Sequence, residues 1–210
     1  MNIVNFYNPG AIIDRLPDDV FDKLKEIIEQ KRMATNTLDT IPKRNLQLLS
    51  IKEIIETPYI QELDNFIRQT YLNWCHAFNT NPSEINVGPV WTNYMQRSEY
   101  TPVHNHAASD LAFVIWVKIP YNLKEEQEQH FDHSDLYPTR EGDGKENTNG
   151  MFKFMYSTYT GQMNTHVITL GKEMEGHIVM FPGIMYHIAY PFFSTNEERI
   201  SVAGNIMMKR

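Results

Sequence analysis

GHIVMFPGIMYHIAYPFFSTNEERISVAGN, residues 176–205, is the stretch on which the fold turns. Gly176 marks a turn, and the run 178–181 that follows is short, apolar and free of charge. Pro182-Gly183 then breaks it, because proline lacks the ladder donor and glycine suits turn geometry. A second apolar run, 185–192, carries His187 in its interior. After the charged loop STNEE, the segment RISVAGNIMM (199–208) again reads as strand. Successive strands with no helix between them predict an antiparallel sandwich or barrel.

The same texture extends back to about residue 85. VWTNYMQ (90–96), LAFVIWVKI (111–119), MFKFMYSTY (151–159) and MNTHVITL (163–170) are rich in β-branched and aromatic residues and punctuated by turn signals such as Gly161 and Gly171. Upstream, the chain reads as helix. In PDDVFDKLKEIIEQKRM, Val20, Phe21, Leu24, Ile27 and Ile28 recur at three-and-four spacing, and Pro17-Asp18-Asp19 makes a good helix start. A second helical pattern places Ile60, Leu63, Phe66, Ile67, Tyr71 and Trp74 on one side, and NLQLLSIKEIIETP between the two suggests a short helix ending before Pro58. The expected organisation is one compact unit, with a helical part at 1–84 packed on a β core at 85–210. The long polar, acidic segment 124–150 interrupts that core as a loop.

Composition sets bounds on function. The chain has 210 residues, 41% of them apolar and 12% aromatic, enough for a substantial core. Its formal charge of −7 argues against a phosphate-backbone binder, so no nucleic-acid partner is expected. Cys75 is the single cysteine, which excludes an intramolecular disulfide, suits a reducing compartment and reads as core. MNIVNFYNPG has neither a basic nor an apolar leader region, and no apolar run nears the roughly 20 residues of a membrane helix. The expectation is a cytoplasmic protein without membrane contact, of unknown oligomeric state.

Chemistry concentrates in TPVHNHAASD, 101–110, just before the apolar run at 111. In extended chain, residues i and i+2 share a face, so His104 and His106 would point the same way and Asn105 away. Two imidazoles so placed suit zinc, copper, iron or nickel. His187, among Ile184, Met185, Ile188 and Ala189, needs partners for its nitrogens; it is either a hydrogen-bonded core histidine or a ligand. Arg199 on its own reads as a salt-bridge partner of nearby Glu197 or Glu198.

Taken together, WTNYMQRSEYTPVHNHAASDLAFVIWVKIP (91–120) and the opening stretch resemble the two halves of an Fe(II)/2-oxoglutarate dioxygenase core. The shared features are a histidine pair before one strand, a histidine on a late strand, an arginine twelve residues on and a serine two beyond that. More narrowly, they resemble the prolyl-4-hydroxylase-like oxygenases of tailed phages of marine bacteria. The resemblance implies a double-stranded β-helix, a cupin-like jelly roll buttressed by helices. It also implies a hydroxylase that uses Fe(II), 2-oxoglutarate and O2, yields succinate and CO2, and acts on a prolyl peptide or other small substrate. For a phage-encoded protein the location would be the host cytoplasm.

By the same resemblance, Arg199 and Ser201 would hold the far carboxylate of 2-oxoglutarate, and Asn93 would line its pocket. The chain departs from the usual His-x-Asp/Glu…His pattern, since the position two after His104 is His106. The site is completed by His104, His106 and His187; or by His106, Asp110 and His187; or by His104 and His187 with water. Two other classes remain: a non-catalytic jelly-roll module, for which Arg199 and Ser201 would be superfluous, and a cupin-like metalloenzyme without 2-oxoglutarate, which a three-histidine face would suit. His130 and His133 in the acidic segment read as solvated loop residues.

Overall fold

The computed structural model describes residues 1–4, 9–36, 46–49, 58–128, 147–158 and 160–209. Two antiparallel sheets face each other. The larger has seven strands, in the order β1 (Asn2–Val4), β2 (Ala11–Arg15), β9 (His177–Pro182), β6 (Leu111–Lys118), β11 (Arg199–Met208), β4 (Ile85–Met95) and β3 (Leu46–Leu49). The smaller has four: β5 (Thr101–His104), β10 (Tyr186–Ala189), β7 (Phe152–Ser157) and β8 (Met163–Ile168). From β4 onward the chain crosses back and forth between the sheets, with β7 and β8 paired in the small one, so β4, β6, β9 and β11 build one wall while β5, β7, β8 and β10 build the other. The mostly β, jelly-roll architecture with N-terminal helices is as the sequence predicts.

Helix α1 (Asp18–Asn36) begins directly after Pro17, with Asp18 and Asp19 in its first turn, where the helix dipole favours acids. It buries Val20, Leu24 and Ile28, and helix α2 (Pro58–Ala77) buries Leu63, Ile67, Tyr71 and Trp74. Both helices lie on the outer face of the large sheet, against Ile85, Val90, Tyr94, Phe113, Ile115, Met180 and Val202. Each such aliphatic side chain removed from water contributes about 1.5–3 kcal/mol. The Trp74 indole donates to the Gly10 carbonyl at 2.9 Å, tying α2 to the lead-in of β2. A second core fills the space between the sheets, with Trp116, Phe152, Phe154, Val179, Phe181, Met185 and Phe192. No described helix is long and apolar enough to cross a membrane.

Several local expectations are corrected. The part before residue 85 is not helix alone: it supplies β1, β2 and β3 to the large sheet. The segment read as a short helix after residue 45 opens as strand β3, paired with β4 in the register Leu46↔Asn93 to Leu49↔Val90; residues 50–57 lie outside the described residues. β4 starts at Ile85 rather than 90, and a register shift between Gly204 and Ile206 accommodates Gly88 and Pro89. β10 stops at Ala189 instead of 192, because Tyr190 N donates to Met151 and Pro191 has no N–H to give. The acidic segment begins as a short helix, α3 (Leu123–Glu128), whose Glu126 is fully buried and accepts from Phe193 N at 2.7 Å and Ser194 N at 2.8 Å. His130 and His133 lie outside the described residues.

Candidate metal centre

Strand pairing places two of the histidines. β5 and β10 run antiparallel with His104 directly opposite His187, and both rings face the large sheet. His187 is 3% exposed and enclosed by Phe152, Phe154 and Phe181, with ring centroids 5.4, 6.2 and 4.9 Å away. His106 lies beyond the end of β5, in the turn that leads to β6, so its position does not come from strand alternation. Its ring nevertheless sits 5.2 Å from that of His104 and 5.3 Å from that of His187, and 5.9 Å from Trp91 on β4. Ligand atoms of His104, His106 and His187 all lie within 4.8 Å of one another. Among the described residues no carboxylate joins this cluster.

Tautomer and charge both suit metal binding. Nδ1 of His104 lies 2.7 Å from the Pro102 carbonyl, and Nδ1 of His187 lies 3.0 Å from that of Met185. A carbonyl can only accept, so each Nδ1 carries the proton and Nε2 keeps its lone pair for a metal. Burial holds His187 down to about 3, with smaller contributions from His104 and His106 and an opposing one from the Met185 carbonyl. Burial, then the charge of His104, also lowers His106. Three imidazoles whose ligand atoms converge are a fitting donor set for a divalent transition metal such as Fe(II).

Asp110, the candidate carboxylate, points elsewhere: its Oδ2 accepts from Met208 N at 2.7 Å. Asn93 and Ser201 are direct partners across β4 and β11. Val202, Ile206 and Tyr94 belong to the helix-side core, so alternation turns Asn93, Ser201 and Arg199 toward the small sheet. Both Asn93 and Ser201 are half-buried there.

Arg199 is 4% exposed and, among the described residues, forms no ion pair. The glutamates that seemed its natural partners are engaged elsewhere, Glu197 with Lys118 at 2.7 Å and Glu198 with Arg32. Nη1 of Arg199 donates instead to Tyr121 Oη at 3.0 Å and the Gly150 carbonyl at 3.1 Å. Nη2 donates to the Tyr190 carbonyl at 2.9 Å and contacts Met95 Sδ. Tyr121 in turn donates to Gly150 O at 2.6 Å; burial raises its phenol, against the pull of Arg199. Tyr190, whose carbonyl the guanidinium holds, is three residues beyond His187.

Tyr121, Gly150 and Trp91 escape a reading of the sequence. Tyr121 is 78 residues and Gly150 49 residues from Arg199, and no local pattern marks either.

Comparison with known proteins agrees with this architecture. A family model described as "Putative 2OG-Fe(II) oxygenase" matches residues 89–205. The fold is similar to a Pseudomonas putida prolyl-4-hydroxylase, with a TM-score of 0.57 and 13% identity over 96% of this chain and 94% of that one. It is also similar to a viral collagen prolyl hydroxylase from Paramecium bursaria Chlorella virus-1, solved with 2-oxoglutarate, with a TM-score of 0.53 and 13% identity over 98% of both chains. A third similar structure is a Trichoplax adhaerens prolyl hydroxylase bound to a hypoxia-inducible-factor peptide, with a TM-score of 0.58 and 8% identity over 95% of this chain and 84% of that one. No curated protein matches the sequence. With more than half of its length matched by the family model, the chain belongs to the 2OG-Fe(II) oxygenases, a family of enzymes that includes hydroxylases.

Proposed function

We propose that the protein is an Fe(II)- and 2-oxoglutarate-dependent hydroxylase acting on a peptidyl proline. His104, His106 and His187 would hold the metal. Arg199, with Tyr121 and Ser201 beside it, would hold the far carboxylate of 2-oxoglutarate, and Asn93 would line the space between. When bound, Fe(II) supplies the coupling of O2 and 2-oxoglutarate, which leave as succinate and CO2, to hydroxylation of a substrate C–H bond.

The observation that carries this reading is the pairing of the imidazole cluster with a buried arginine that has no carboxylate partner among the described residues. An arginine stays charged when buried, and its planar fork fits a carboxylate. Its link to the histidines is Tyr190, whose carbonyl accepts from Arg199 and which follows His187 by three residues, so a dicarboxylate anchored there would extend toward the metal. The aromatic wall of Phe152, Phe154 and Phe181 keeps water from one side of the cluster, and burial there favours the neutral form of His187.

Support for an uncharged peptide comes from the rim. Residues 100–109 and 182–196, the two stretches that carry the histidines, contain no Asp, Glu, Lys or Arg. The prolyl hydroxylases of similar fold favour proline as the target.

The test is an anaerobic Fe(II) titration with and without 2-oxoglutarate, followed by visible absorption. A weak charge-transfer band that needs both components, and is lost in His187→Ala, is expected. Arg199→Ala should weaken 2-oxoglutarate binding at least about tenfold, as removal of a buried charge partner generally does. Iron-loaded, folded protein that shows no band, or an Arg199→Ala variant with unchanged 2-oxoglutarate affinity, would overturn the reading. Proline-containing peptides should then gain one oxygen atom by mass spectrometry.

A further inference from the structure

The histidines of the cluster are held in two different ways. His104 and His187 are fixed by the register of β5 on β10. His106 stands in the turn after β5, and a turn residue keeps a defined position only if the turn is fastened. This one is fastened on two sides. Toward the β9–β10 turn, His106 N donates to Gly183 O at 2.7 Å, and Gly183 N donates to Asp110 O at 2.9 Å. Toward the end of β11, Asp110 N donates to Ile206 O at 3.1 Å, and Met208 N donates to Asp110 Oδ2 at 2.7 Å. Within the turn, Ser109 N donates to His106 O at 2.8 Å.

Gly183 has no room for a side chain. A Cβ there would meet the Ser109 carbonyl, and the His106 carbonyl at 2.7 Å, both of them backbone atoms that cannot swing aside. Close approach of two backbones is what brings the His106 turn against the β9–β10 turn, whose chain runs on into His187.

We infer that Asp110 and Gly183 are positioning residues for His106, and that Asp110 acts as a strut between the His106 turn and β11, not as a metal ligand. This rests on the three-imidazole reading of the site. The carboxylate then serves as a hydrogen-bond acceptor for Met208 N, a task an uncharged amide oxygen can also perform.

That difference supplies the test. Co(II) affinity by titration and the Co(II) visible spectrum are to be measured for the full chain and for D110N, D110A, G183A and H106A, with thermal melts as a check on folding. Asp110→Asn keeps an acceptor oxygen, so its spectrum should match the parent and its affinity stay within a fewfold. Asp110→Ala and Gly183→Ala should weaken Co(II) about 10–100-fold, the usual effect of losing support around a ligand, and shift the spectrum toward that of H106A. An Asp110→Asn variant that loses Co(II) as severely as H106A would make Asp110 a ligand and overturn the proposal. Parent-like affinity in both D110A and G183A would overturn it as well. Should D110A fail to fold, G183A and D110N still decide. Neither readout involves 2-oxoglutarate or turnover, so failure of the hydroxylase reading leaves this result intact. Unchanged Co(II) binding in H106A would instead remove His106 as a ligand, and the proposal with it.

Discussion

His187 shows how one residue joins stability to function. Burial holds its imidazole at about 3, against an ordinary value of 6.5. In the unfolded chain it takes up a proton near 6.5, while in the folded protein it resists protonation until far lower pH. Between those values the unfolded state binds more protons, so stability is fully present above about pH 6.5 and is lost as pH falls toward 3. The metal-free protein should therefore show a urea midpoint that drops steadily from pH 6.5 to pH 4. In His187→Asn the slope over that window should flatten, whatever the variant's absolute stability; an unaltered slope would assign the acid sensitivity to other groups. The same burial favours the neutral ligand form, so the environment that makes the fold acid-sensitive also prepares the site for metal.

At the scale of elements, β6, β9 and β11 were legible because they are long, β-branched and bounded by clear turn signals. β1, β3 and β5 were not. They have three or four residues each, too few for a period to emerge, and β5 carries Pro102, which a sheet tolerates at an edge. β3 lies in a stretch whose leucines and isoleucines repeat at helical spacing, and pairing with β4 overrides that pattern. His104, His106 and His187 could be singled out by residue type and neighbourhood, yet the reason for expecting His106 beside His104, strand alternation, is not the one the fold uses. The turn that delivers it depends on Gly183 and Met208, 77 and 102 residues away in sequence, where no local rule reaches.

The bonds that seat Arg199 also belong to this scale. Gly150 has φ +73°, and a Cβ there would lie 2.9 Å from the Tyr121 ring. Gly150→Ala should destabilise the protein by about 1–3 kcal/mol through strain and overpacking together, read as a lower urea midpoint. It should also weaken 2-oxoglutarate binding, since Gly150 O and Tyr121 Oη flank the guanidinium. A drop in stability with no change in 2-oxoglutarate affinity would separate this corner from the cosubstrate pocket.

For the molecule as a whole, the acidic segment that interrupts the β core is built into the architecture at both ends. Tyr121 before it and Gly150 at its end meet each other and Arg199, while Asn147 Nδ2 donates to Gln127 O at 2.7 Å. Chain order and three-dimensional assembly are therefore separable at this point. Cut between 129 and 146, the polypeptide would divide into a leading piece with His104 and His106 and a trailing piece with His187 and Arg199. Neither piece would hold a complete metal site, yet β5 with β10, β6 with β9, and β4 with β11 would still pair across the division. Mixed in solution, the two should reassemble with a Co(II) spectrum that neither gives alone, and the ion itself would serve as the reporter of complementation.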